Sequence, residues 1–201
     1  TNDTYTVTIT GGTNVYVKYE EIPEEKFAVT IQTNNANYGT VSPSGPQQVG
    51  KSGINITATA KTGYQFDKWT CTDGASVEDA SNPNTIASAT AEGTVTANFS
   101  IKNYTITYHL NGGTNNTSNP ASYTVETNTI TLQDPTKEGF LFAGWYTNST
   151  FSGTAVTSIT KGSTGDKTYY AKWIDSRDCI FFYNNLGWSN VYVYFYSSDK
   201  Y

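Results

Sequence analysis

The chain has no methionine, one histidine and two cysteines in 201 residues, and charged side chains make up only 14 % of it. Each shortage excludes something. A hydrolytic triad needs a base beside a nucleophile, and His109 lies on the polar side of YTITYHL with Thr105 and Thr107 for company. A structural or catalytic zinc takes three or four ligands. One histidine and two separated thiols, Cys71 and Cys179, do not supply them, so the cysteines read as free. The formal charge of −5 opposes nucleic acid, which calls for a basic surface, and gives no attraction to anionic lipid. No apolar run is long enough to insert directly into a membrane, and no signal peptide is visible. With no methionine at the start and TNDTYTV in its place, the chain reads as a piece of something longer.

What is abundant is threonine, asparagine, glycine and tyrosine, set in strict alternation. In INITATA, Ile54, Ile56, Ala58 and Ala60 share one face, and Asn55, Thr57 and Thr59 share the other. TVTANF does the same with Val95, Ala97 and Phe99, and YTITYHL with Tyr104, Ile106, Tyr108 and Leu110. A period of two with one apolar face predicts strands of antiparallel sheets, one side buried and one wet. Threonine suits the wet side, because its branched side chain favours strand geometry without adding charge. No stretch has a sustained helical period. The fold class predicted is mostly β.

The pattern is also written twice. GYQFDKW (63–69) and GFLFAGW (139–145) share Gly, aromatic, any residue, Phe, two residues, Trp, and their tryptophans lie 76 positions apart. FAVTIQ (27–32) precedes YTITYH (104–109) by 77, and TVTANF (94–99) precedes TYYAKW (168–173) by 74. Variable loops absorb the drift. The repetition predicts that each module closes its own small core around Phe66, Trp69 and Phe99 in one copy, and Phe142, Trp145 and Trp173 in the other. The division expected is residues 1–22 as the last strands of a preceding copy, 23–100 and 101–174 as complete modules, and 175–201 as the start of a further β module or a hairpin. EEIPEEK (20–26) forms a short acidic linker, and Glu20, Glu21, Glu24 and Glu25 read as a solvated charge run. Asp73, Glu78 and Asp79 lack the oxygen-ligand spacing of an EF-hand. NGG at 111–113 is a hairpin turn. No metal or cofactor is expected.

The residues of the second copy carry a family resemblance. YHLNGGT, DPTKEGF, FAGWYTN, FSGT and the closing YAKW make 103–174 resemble the Listeria–Bacteroides repeat, the B-repeat of internalin-type surface proteins. GTVSPSG, ITATAKTGYQFDKW and VTANF make 26–100 resemble its divergent form, and 1–22 resemble the end of another divergent copy. The resemblance implies a β-grasp-like (ubiquitin-like) module in a bacterial cell-surface or secreted protein. It brings no catalytic residues. The expected role is a non-enzymatic spacer or stalk and adhesion scaffold, with neighbouring modules of the same protein as first partners.

The tail departs from the pattern. In CIFFYNNLGWSNVYVYFY, Val191, Val193 and Phe195 take one side while Tyr192, Tyr194 and Tyr196 take the other. Tyrosines on a wet face suit sugars, because flat rings stack on them and polar tips bond hydroxyls. The run resembles the opening strands of family 26 starch-binding modules. That resemblance makes Tyr192 and Tyr194, with Trp188 nearby, candidates for contact with a polysaccharide. A third expectation is adhesion to a host surface protein through sheet edges or loops.

Overall fold

The computed structural model describes residues 22–176, together with Gly11 and Gly12. The chain divides into two compact units, Thr1–Ser100 and Ile101–Tyr201. Among the described residues every regular element of both is a strand.

The first unit runs β1 (Phe27–Thr33), β2 (Gly39–Ser42), β3 (Gly45–Val49), β4 (Ile54–Ala60), β5 (Tyr64–Val77) and β6 (Asn84–Ile101). They form one sheet in the order β2-β4-β6-β1-β3, with β5 also paired to β6. The alternation read in the sequence decides which side chains point inward. Val29, Ile31, Ile56, Val95 and Ala97 are buried on one face, with Trp69 and Phe99 closing over them. Thr57, Thr59, Thr94 and Thr96 fall on the other register of the same strands.

The second unit continues with β7 (Tyr104–His109), β8 (Ser122–Tyr123), β9 (Ile130–Thr131), β10 (Phe140–Tyr146), β11 (Ser158–Ile159) and β12 (Lys167–Asp175). Its main sheet is ordered β10-β12-β7-β8, and β9 and β11 form a separate pair. Ile106, Tyr123, Leu132, Trp145, Tyr169 and Ala171 make its core.

The two topologies are variants of one plan. In the first unit the long β6 pairs with β4 through its first half, at Ile54↔Ala87, and with β1 through its second, at Ile31↔Val95. In the second unit those jobs are divided. β11 pairs with β9 at Ile159↔Ile130, and β12 pairs with β7 at Tyr169↔Tyr108. The Thr160–Asp166 loop, with its two positive-φ glycines Gly162 and Gly165, interrupts what is one strand in the other copy.

The sheets are not purely antiparallel, and this corrects the expectation drawn from alternation. Among the described residues, the first and last strands of each unit pair in parallel, β1 with β6 and β7 with β12. Alternation reports which face is buried but carries no strand direction. Direction depends on the connection, and parallel neighbours need a long crossover. Here the intervening strands and turns provide it.

Candidate functional site

The repeated phrase builds an aromatic core in each unit. Trp69 and Trp145 are 2 % and 1 % exposed. Phe66 meets Trp69 at 5.6 Å and Phe99 at 5.9 Å between ring centres. Phe142 meets Trp145 at 5.3 Å and Trp173 at 5.5 Å. Buried indole N–H groups need acceptors. Trp69 donates to the Asn82 carbonyl at 3.0 Å, Trp145 to that of Gln133 at 3.2 Å, and Trp173 to that of Leu110 at 2.9 Å. With their faces packed and their donors used, these rings support the modules from inside.

The outer faces of the two sheets differ in chemistry. On the second unit, Tyr146 lies opposite Tyr170, and Tyr170 opposite His109, so the three cross β10, β12 and β7 in a row. His109 and Tyr170 stack at 4.4 Å with an 8° angle between planes. Phe151 meets the Tyr146 ring edge-on at 5.7 Å, and the Lys172 ammonium lies 5.4 Å from its centre. Offsetting by the repeat places Gln32, Thr96 and Thr70 at the same three positions of the first unit. There Gln32 donates to Thr96 Oγ1 at 3.3 Å, and Asn98 donates to Thr70 Oγ1 at 3.0 Å. One outer face is a lattice of hydroxyls and amides; the other is aromatic.

His109 is exposed, as the alternation indicated, but it is half of a stacked pair. Sequence reasoning passed over this row because each member looked ordinary in its own strand. The signal was present in the repeat, where two sheets of one plan carry different side chains on their outward positions.

The acids also resolve individually. The Glu24 carboxylate accepts from the Ser52 backbone N–H and hydroxyl, and these bonds hold its pKa below the ordinary value. It fastens the linker to the turn before β4 while staying exposed, as do the other described residues of the acidic run. Asp79 accepts from the Ser81 hydroxyl at 2.7 Å and N–H at 2.8 Å, which lower its pKa likewise. It borders an open groove of about 660 Å³ lined by Asn55, Thr57, Asn82 and Asn84. Among the described residues no three His, Cys, Asp or Glu side chains gather as a metal site would require. Cys71 is a free, half-buried thiol whose pKa burial raises. Trp188, Tyr192 and Tyr194, the sugar-binding candidates, lie outside the described residues, as does Cys179.

The duplicated core and the shared strand plan define a class, a tandem of small β repeats. Residues 104–172 match the family model of the Listeria-Bacteroides repeat domain, and residues 29–103 match that of the Divergent InlB B-repeat domain. The chain is therefore a B-repeat segment, one divergent copy followed by one regular copy. No curated protein matches it. Families of this type occur in bacterial surface and secreted proteins.

Proposed function

We propose that this segment is a non-enzymatic, load-bearing spacer on the outside of a bacterium, holding neighbouring modules of its parent protein away from the surface. The observation that carries the reading is the parallel pairing of first and last strands in each module. In the first, β1 and β6 are matched from Val29↔Gly93 to Thr33↔Ala97; in the second, β7 and β12 from Ile106↔Lys167 to His109↔Tyr170. The chain enters at the start of one parallel strand and leaves at the end of the other, at opposite ends of the pair. Tension on those ends slides the two strands past each other. The hydrogen bonds of the pair are then loaded together rather than opened one after another. Such a geometry suits a stalk.

Pulling the 201-residue chain by its ends tests this. Two discrete unfolding events are expected, each releasing roughly 25 nm, the extended length of about 75 residues. Smooth extension at low force would remove the reading.

A second reading is adhesion to a polysaccharide or a host surface protein. It is favoured by the Tyr146–Tyr170–His109 row, where the other copy has only polar side chains, and by the tyrosines at 192 and 194. In affinity electrophoresis through starch, retardation that disappears in Tyr192→Ala/Tyr194→Ala would assign sugar contact to the tail. Retardation that survives there but is lost in Tyr146→Thr/Tyr170→Thr would assign it to the sheet.

A further inference from the structure

The aromatic row on the outer face of the second module is not a continuous stack. His109 lies flat against one side of the Tyr170 ring. Tyr146 stands opposite Tyr170 in the register, but the ring it meets is Phe151, edge-on at 5.7 Å. Among the described residues, Tyr170 therefore has a stacked ring on its β7 side and none on its β10 side. The Tyr146–Phe151 pair is set in advance. Phe151, at a φ of 55°, follows Asn148, whose Oδ1 accepts from the Ser152 N–H at 3.1 Å and whose Nδ2 donates to the Ser152 carbonyl at 2.9 Å.

The same face carries one strong cation. Lys172 is two positions beyond Tyr170 on β12, so the two side chains stand on one side of the sheet about 7 Å apart. Its ammonium lies 5.4 Å from the centre of the Tyr146 ring, and its cross-strand partner is Gly144, which has no side chain. No outward position of β7, β10 or β12 is an acid: they hold threonine, His109, Tyr146, Tyr170, Lys172 and, at the far end, Leu141 and Ile174. The chain's negative charge falls elsewhere. Residues 101–176 contain five lysines and five acids, whereas 22–100 contain four and seven.

The fold itself does not require this set. The repeat offsets put Thr70, Thr96 and Asn98 of the first module where the second has Tyr146, Tyr170 and Lys172. Asn98 spends its amide on the Thr70 hydroxyl at 3.0 Å and on the Lys68 and Thr96 carbonyls at 3.2 Å each, all within its own sheet. Lys172 and its rings are directed outward instead.

Given the reading of this face as a polysaccharide contact, the geometry points to the class of polysaccharide: an acidic one, held through a hexuronate unit. Such a unit joins the two features the face would recognise. Its C–H face packs on the open side of Tyr170, as sugar rings do on phenols. Its carboxylate, projecting from the ring edge, pairs with Lys172, which no described carboxylate neutralises. A neutral hexose would gain the first contact and leave the second unused.

Titration calorimetry of the 201-residue chain with trigalacturonate and trimannuronate, each as free acid and as neutral methyl ester, tests the assignment. At least one acid should bind about 10-fold or more tighter than its ester, the size of one hydrogen bond between charged groups. Lys172→Asn, the residue of the other copy, should bring the acid down to the affinity of the ester, and Lys172→Arg should keep the preference. Tyr170→Thr should abolish binding of both forms. Equal affinity for acid and ester, or a preference that survives Lys172→Asn, would overturn the acidic class. If that binding were still lost in Tyr170→Thr, the sheet would remain a sugar contact of neutral preference. Binding that survives Tyr170→Thr would lie elsewhere on the chain and overturn the assignment. Failure of both acids and both esters to bind would remove the acidic class and the sheet's sugar contact together. Should Tyr170→Thr lower the thermal midpoint of the module, the Lys172→Asn and Lys172→Arg comparison decides alone.

Discussion

Gly113 lies against the indole of Trp173 so closely that a Cβ built on it would fall 2.5 Å from Cζ2 and 2.9 Å from the Thr136 carbonyl oxygen. The first module repeats the relationship between Gly39 and Phe99, with a Cβ 2.4 Å from Cζ. Glycine is needed here for approach. Gly113→Ala and Gly39→Ala should each destabilise their own module by about 1–3 kcal/mol, the usual cost of overpacking. Urea denaturation followed module by module measures it. An unchanged midpoint would mean the ring moves aside freely.

Trp145→Ala should cost the second module about 3–5 kcal/mol, as large core truncations do. The loss should stop at that module, because the first closes its own core around Trp69. Limited proteolysis should cut within 104–172 and spare 29–99. Simultaneous loss of both would refute independent cores.

Alkali should weaken the second module in particular. Burial, reinforced by Tyr169, pushes the Tyr108 phenol up to about 12 from 10.0. Burial likewise raises Tyr123 and Tyr169. A phenol that ionises less readily when folded favours the folded state fully below its unfolded pKa. Between about pH 10 and 12 the unfolded chain loses its proton first, and stability falls. Thermal melts from pH 8 to 12 should show this decline, and Tyr108→Phe should flatten it. That variant also loses the bond to the Pro120 carbonyl, 3.2 Å long. Its pH-independent cost should be about 0.5–1.5 kcal/mol.

Glu24 gives a dependence of opposite sign. Its carboxyl is held below 4.5 by Ser52, so its contribution is present above that value and disappears as pH falls through the lowered one. Exchange at the Ser52 amide, corrected for the intrinsic pH dependence, should quicken on acidification. Glu24→Ala should show the quicker rate already at neutral pH. Identical Ser52 rates in the two proteins would mean the linker is not fastened there.

The sequence by itself determined the mostly-β class, the duplication and the inward residues. Alternation and repeat spacing are properties of single strands, and the burial of Ile56, Ala58, Val95, Ala97 and Phe99 on their inward positions follows directly from them. Tertiary structure alone decided strand direction and what lies across a sheet. β1 beside β6, and Tyr146, Tyr170 and His109 in one row, join residues 24 to 64 positions apart. No local pattern encodes such pairing. It depends on how the intervening loops close, and a single residue of drift in register would turn every side chain of a strand to the opposite face.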